Sequence, residues 1–170
     1  MAEQKKDRPK VDWAELRRRY EKGVELMSSD DDNLVHQGYD IMGELASGGY
    51  ADAQIYMGQF VENVLGQSGY AFEWYRRASV QGRPLAYQCM ANLLATGRGI
   101  QEDVEMAMKC YEIAAEGGMA ESQFILGQHL LTQMKRKEAK KWLDMAAAQG
   151  HDGAIACLER SFANGIGDED

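Results

Sequence analysis

The residues of this chain that could bind a metal ion or act as nucleophiles are three histidines and three cysteines. Protein zinc sites pair such ligands at short spacings, about two to five residues apart. His36, His129 and His151 have no histidine four residues away and no cysteine at ligand spacing. The chain also has no G-x-S-x-G motif, no Walker loop and no adjacent nucleophile–base pair. We therefore predict no metal site, no cofactor and no catalytic centre.

Two further patterns resemble binding motifs for phosphate or nucleic acid. The glycine-rich Gly97–Arg98–Gly99 lacks the lysine and the preceding strand of a phosphate loop. The basic runs at Arg17–Arg19 and Lys135–Lys141 belong to a chain of net charge −8, whereas nucleic-acid-binding domains usually present a basic footprint. We expect both runs to be solvated helix faces, and we predict no nucleic-acid partner.

The elements that position these residues are visible in a pattern that recurs along the chain. Each copy ends in a glycine: Gly82 (AFEWYRRASVQG), Gly118 (AMKCYEIAAEGG), Gly150 (AKKWLDMAAAQG) and, more weakly, Gly49 (GYDIMGELASGG). The spacings of 33, 36 and 32 residues are typical of a solenoid of helical hairpins.

The residues after each closing glycine repeat in helical register. Apolar side chains recur eight and twelve residues on, and a small residue recurs nine residues on at Gly58, Ala91 and Gly127, with Gly23 in the first helix. A small residue on the packing face lets a neighbouring helix approach closely. In the helix before each glycine, large aromatics such as Trp74 and Trp142 alternate with alanines, which is typical of interdigitating helices and not of a cofactor site.

The most complete copy resembles a known repeat. The stretch Ala91–Gly118 has a G-x-G-x-x-x-D turn (Gly97, Gly99, Asp103), then an alanine, an aromatic, an Ala-Ala pair and the closing glycine. It is similar to the Sel-one-like repeat, a relative of the tetratricopeptide repeat, and the similarity covers about residues 34–167. In the preceding copy Leu65–Tyr70 stands in place of this turn. The resemblance implies an all-α, right-handed α-solenoid of antiparallel helix pairs with a binding role.

We predict a single solenoid domain over 11–167, a disordered N-terminal arm at 1–10 and an acidic tail at 168–170. Asp12, Asn33, Ser68 and Asp103 are the expected helix N-caps, because their side-chain oxygens can accept a free backbone N–H. Glu159, in place of the small residue, indicates that the last helix caps the array. The nine predicted helices span 12–27, 33–47, 51–64, 69–81, 84–96, 103–116, 120–133, 136–148 and 152–163.

The predicted binding surface lies on the first helix of each hairpin, which lines the inner, concave surface in solenoids of this type. Ten residues after each closing glycine are Gln59, Asn92, Gln128 and Arg160, which we expect to be exposed and able to grip an extended peptide backbone. The position six residues after each glycine adds flanking residues that we also expect to be exposed: Ile55, Gln88 and Phe124, of which Ile55 and Phe124 would be apolar anchors.

The polar first ten residues have no apolar signal region, and no apolar run is long enough to span a membrane. The cysteines Cys89, Cys110 and Cys157 lie on apolar helix faces, which favours three reduced thiols in a cytoplasm. Some secreted relatives of the repeat carry a disulfide in each unit, a pairing that is not seen here.

These observations predict a cytoplasmic, non-enzymatic adaptor that binds another protein or a peptide. One alternative is a dedicated inhibitor or immunity-type protein, since net acidity suits a basic target enzyme. A less favoured alternative is a β-lactam-binding hydrolase like some cysteine-rich relatives of the repeat.

Overall fold

The computed structural model describes residues 12–162, and the predicted arm at 1–10 and tail at 168–170 lie outside that range. This part of the chain contains helices and no strand. Its helices are α1 (Trp13–Met27), α2 (Asp32–Ser47), α3 (Ala51–Asn63), α4 (Ser68–Ser79), α5 (Pro84–Thr96), α6 (Val104–Glu116), α7 (Ala120–Thr132), α8 (Arg136–Ala148) and α9 (Asp152–Phe162).

The helix ends show which sequence signals decide the boundaries. Asp12 and Asp103 cap α1 and α6 with their carboxylates, as predicted. The prediction for Asn33 is wrong, because Asp31 caps α2 and accepts the Asn33 N–H at 2.8 Å. Ser68 is also not a cap, since it is the first residue of α4 and no side chain caps that helix. In a run of three aspartates the carboxylate that precedes the helix takes the capping role.

The four closing glycines end α2, α4, α6 and α8 in the left-handed region, with φ between 74° and 94°. After three of them the next N–H bonds back to a carbonyl five residues earlier: Tyr50 to Leu45, Met119 to Ala114 and His151 to Ala146. This geometry satisfies carbonyls that the helix end would leave free and turns the chain sharply into the next helix.

The small residues that repeat along the sequence lie at helix–helix contacts. A Cβ added to Gly58 would lie 2.4 Å from the Tyr75 ring, and one added to Gly127 would lie 2.7 Å from Leu143. Gly23 faces Met42 in the same way, at 2.7 Å. The predicted register of the repeats is therefore confirmed.

The apolar core is a series of five clusters along the chain, as expected when each unit contacts mainly its neighbours. The first helices of the hairpins, α1, α3, α5, α7 and α9, also contact one another in sequence. These contacts include the Tyr20–Tyr56 ring pair and the Gln88–Ser122 hydrogen bond. The residues directly before α5 and α9 add the Asp52–Arg83 ion pair and the His151–Glu121 pair. These five helices therefore form one layer, called the odd-numbered layer below.

Candidate functional site

The four residues predicted to form a polar column occupy equivalent positions on α3, α5, α7 and α9. Gln128 and Arg160 are exposed, and neither makes a hydrogen bond or ion pair within residues 12–162. Gln59 and Asn92 are half-buried. The prediction that all four side chains of the column are exposed is therefore wrong for these two. The side chains at the C-terminal end of the column are the ones most available to a partner.

Asn92 is partly used inside the protein. The buried Tyr111 of α6 donates its hydroxyl to Asn92 Oδ1 of α5 at 2.8 Å. Gln59 lines a surface cavity of about 220 Å³ on α3, together with Tyr56, Phe60, Asn63 and Val64. The two amides therefore have different surroundings despite their equivalent positions.

The three residues predicted to flank this column contact neighbouring repeats. Ile55 is 5 % exposed and belongs to the core, so its predicted role as an anchor for a partner is wrong. Gln88 is half-buried and its Oε1 accepts the Ser122 hydroxyl at 3.1 Å. Phe124 stacks on His151 with ring centroids 4.6 Å apart. This position of the repeat joins successive helices of the odd-numbered layer, which is why it is less exposed than a simple helical wheel predicts.

Sequence reasoning missed a pair of buried amides that clamp the hairpins. Gln54 Nε2 donates to the Ala46 carbonyl at 3.0 Å, and Gln81 Nε2 donates to Gln54 Oε1 at 2.9 Å. Gln123 makes the same two bonds with Ala115 and Gln149 (3.0 and 2.8 Å). The signal was present in the sequence: these glutamines stand five residues after a closing glycine, and their partners stand directly before the next one. A buried amide with both ends bonded holds consecutive hairpins in one orientation.

An apolar groove lies near the N-terminal end of the array, between α2 and α3. A cavity of about 320 Å³ there adjoins the α3 cavity through Phe60, which lines both. The Tyr39 and Phe60 rings meet at 5.5 Å. We call this surface the aromatic groove, and its two cavities are lined by Asp32, Val35, His36, Tyr39, Tyr56, Gln59, Phe60, Asn63, Val64 and Leu65.

A polar chain connects the second and third hairpins. The Tyr75 hydroxyl donates to Glu62 Oε2 at 2.9 Å, and Arg98 Nη2 donates to Glu62 Oε1 at 2.7 Å. Burial, followed by the nearby Glu62 carboxylate, raises the pKa of the Cys89 thiol to about 11. Burial also raises the pKa of Cys110. Because the thiolate is the reactive form, these two cysteines are poor nucleophiles at neutral pH.

The histidines serve local structure. His151 Nδ1 accepts the Ala154 N–H at 3.1 Å, which leaves Nε2–H to donate to Glu121 at 2.8 Å. His129 contacts Gln133 one turn further along the chain, and His36 is exposed at the aromatic groove. Between residues 12 and 162 no three His, Cys, Asp or Glu side chains are grouped to hold a metal ion.

The Lys135–Lys141 run lines a surface cavity of about 430 Å³ at the start of α8. Lys140 pairs with Asp144 at 2.9 Å one turn along the same helix. None of the helices in the described range is both long and apolar enough to cross a membrane.

Comparisons with known proteins agree with this architecture. A family model described as "Sel1 repeat" matches residues 51–82, 86–119 and 120–151. Over 117 residues the chain is 31 % identical to chitin synthase regulatory factor 4 of Schizosaccharomyces pombe, covering 65 % of this chain and 18 % of that protein.

Two solved structures have a similar fold. A protective antigen of uropathogenic Escherichia coli that displays an SLR fold superposes with a TM-score of 0.80 at 24 % identity, over 89 % of this chain and 34 % of that one. A Sel1 repeat protein from Oxalobacter formigenes gives 0.74 at 24 % identity, over 88 % and 61 %. The chain thus spans only part of the length of these relatives.

Proposed function

Because the chain belongs to the Sel1 repeat family, we propose that it is a non-catalytic adaptor that binds another protein or a peptide through its odd-numbered layer. The observation that carries this proposal is a set of equivalent positions on successive helices. It ends in Gln128 and Arg160, which are exposed and make no hydrogen bond with another residue between 12 and 162. Side chains of these two types can bind a peptide backbone and a carboxylate.

The rigidity of the layer supports the same role. The buried clamps at Gln54 and Gln123 fix α3 against α2 and α7 against α6, so the surface side chains of these helices are held before a partner arrives. Pre-organisation increases affinity because less conformational freedom is lost on binding. The relative from Schizosaccharomyces pombe is named a regulatory factor, which is compatible with regulation by binding.

The hydrolase alternative needs a nucleophile, and the raised pKa values of Cys89 and Cys110 disfavour a thiol in that role. The inhibitor alternative stays a prediction, which the genomic neighbourhood of the chain would test. We further propose a cytoplasmic location, where the core thiols stay reduced.

The test is affinity capture with the full chain, identification of captured proteins by mass spectrometry, and titration of the purified partner. Replacing both Gln128 and Arg160 with alanine should leave the melting temperature unchanged, since both are exposed. It should weaken partner binding about tenfold or more, because each lost hydrogen bond contributes roughly 0.5–1.5 kcal/mol and more when a charge takes part.

The matched control is Gln101→Ala with Lys141→Ala, two exposed residues outside the odd-numbered layer. It should bind as the wild type does. Full binding by the Gln128/Arg160 variant together with loss in the control would show that the partner docks on the other side of the array.

A further inference from the structure

The negative charge of this chain is concentrated in its N-terminal part. Residues 23–75 contain nine Asp and Glu side chains and no Lys or Arg, whereas the rest of the chain carries 18 acidic and 19 basic residues. The net charge of −8 therefore originates entirely in the segment that forms the end of α1 and helices α2 and α3, together with most of α4.

Arginines that lie outside residues 23–75 form ion pairs with four of these nine acidic side chains. Arg19 pairs with Glu44, Arg83 with Asp52, Arg98 with Glu62 and Arg76 with Glu73. The other five form no ion pair within the described part of the chain: Glu25, Asp30, Asp31, Asp32 and Asp40. Asp31 caps α2, and the positive end of that helix attracts Asp31 and Asp32. Half a unit of helix charge still leaves a negative surface there.

The aromatic groove lies directly against this surface. Asp32 lines the α2–α3 cavity beside Val35, Tyr39, Phe60 and Leu65. Its 320 Å³ equals the volume of about ten liquid waters, which is room for one or two large apolar side chains. Among residues 12–162, no lysine or arginine lines either cavity of the groove.

The loop beside the groove differs in sequence from the equivalent loop of the next repeat, and the difference adds apolar surface. Where the next hairpin has its Gly97-to-Asp103 turn, the α3–α4 connection places Val64 and Leu65 at the surface, 65 % and 47 % exposed. Together with the apolar lining of the adjoining cavity, these two exposed aliphatic residues form a continuous apolar patch, a feature that marks interaction sites.

From this juxtaposition we propose that the aromatic groove binds a short segment of another protein in which an apolar anchor is flanked by lysines and arginines. The anchor enters the cavity between α2 and α3, and the flanking cations face Asp30, Asp32 and Asp40. The proposal rests on the binding role proposed above and gives the chemical class of the partner. It adds a second contact surface for that partner, separate from Gln128 and Arg160.

The test uses defined probes and the full chain. A fluorescein-labelled 15-residue peptide with a central Trp-Leu pair and four Lys or Arg on each side is compared with the same peptide carrying Glu in their place. Fluorescence anisotropy should show binding of the basic peptide alone, and that binding should weaken between 50 and 300 mM salt, a range of ionic strength over which exposed charges become strongly screened.

Two variants separate the charge from the groove. Asp30→Asn with Asp32→Asn should weaken binding about fivefold, as expected for two exposed ion pairs. Leu65→Ser should weaken it by at least as much without changing the charge. The matched controls are Glu112→Gln with Glu116→Gln on α6, and Val80→Ser at the end of α4, all at exposed positions. The controls should bind as the wild type does.

Equal binding of the two peptides, or equal weakening by the α6 control and the Asp30/Asp32 variant, would overturn the proposal. So would a dimer detected by light scattering that Leu65→Ser dissociates, since the groove would then hold a second copy of this chain. Failure of the peptide to bind, with partner capture still dependent on Gln128 and Arg160, would refute the groove assignment and leave the adaptor function standing.

Discussion

Replacing Gly58 with alanine is the most direct test of how the hairpins pack. The Tyr75 ring lies over Gly58, and an added Cβ would lie 2.4 Å from Tyr75 Cε1, 2.8 Å from Cδ1 and 3.0 Å from Cζ. Ordinary van der Waals contact begins at 3.4 Å, so the ring must retreat by about 1 Å. Tyr75 is fully buried, so the ring has no open space into which it can turn.

The retreat also disturbs the polar chain that Tyr75 joins. Its hydroxyl bonds to Glu62 at 2.9 Å, and a further 1 Å along that direction exceeds hydrogen-bond distance. Overpacking costs about 1–3 kcal/mol, and weakening this partly buried hydrogen bond to a carboxylate costs about 1.5 kcal/mol. Alanine has a higher helix propensity than glycine, which stabilises the folded state by about 1 kcal/mol and offsets part of this cost. The net expected destabilisation is about 2–3 kcal/mol, or roughly 4–12 °C in Tm for a chain of this size.

The matched control is Gly43→Ala in the C-terminal half of α2. An added Cβ at Gly43 meets nothing within 4 Å, so the same substitution should stabilise the protein by about 1 kcal/mol. Thermal and urea unfolding of both variants, followed by circular dichroism at 222 nm, gives the comparison. Two shifts of opposite sign are expected. A Gly58→Ala protein as stable as the wild type would show that Tyr75 does not occupy the space over Gly58.

Two further predictions concern the thiols. Titration after denaturation without reductant should find three reactive thiols per chain, because all three cysteines are free; a count of one would indicate a Cys89–Cys110 disulfide and an oxidising compartment. The contribution of Cys89 to stability should be constant up to about pH 8.5 and then fall as the pH rises, because the unfolded thiol ionises at its ordinary pKa while burial holds that of Cys89 at about 11. Urea titrations at pH 7, 9 and 10.5 measure this loss, and Cys89→Ala should reduce it; an equal alkaline loss in the variant would contradict the assignment.

The positions that could be predicted from the sequence are those where one physical requirement acts alone. The closing glycines need a left-handed backbone, and Gly58 and Gly127 need space for a facing side chain, so each restricts the residue type strongly. The same reasoning placed all nine helices of residues 12–162 to within two residues at each end. It was wrong at Asn33, where three adjacent residues could cap α2 and the sequence does not decide between them.

The surface side chains were harder to predict because the solenoid contacts itself in two directions. A helical wheel accounts for packing within a hairpin, and by that measure Ile55 and Gln88 face solvent. Contacts between successive hairpins cover those positions, as the Gln88–Ser122 bond shows. The sequence periodicity does not give the distance between successive hairpins. It therefore could not predict how exposed Ile55 and Gln88 are.

Different repeats use different contacts at the same positions. Comparing them shows which residues serve packing. The middle hairpin has Tyr87 and Gly117 where its neighbours have the clamp glutamines. There Pro84 packs on Gly117, where an added Cβ would lie 2.4 Å from the proline ring. The Pro84–Gly117 contact joins the two ends of one hairpin, as the Gln54–Gln81 bond does, so packing within the repeat accounts for the clamp glutamines.

The departures that no packing requirement explains are the better guide to binding. Val64 and Leu65 leave the repeat pattern without entering the core, and five acidic side chains between residues 23 and 75 are not neutralised by the arginines that pair with the others. The α8 sequence, by contrast, carries four basic and two acidic residues on the equivalent helix of a later repeat. A basic partner is therefore attracted to the first hairpins and repelled near α8, although the backbones of these units are alike. Under the proposal made above, the repeat supplies the rigid spacing, and the distribution of charge along it determines where a basic partner docks.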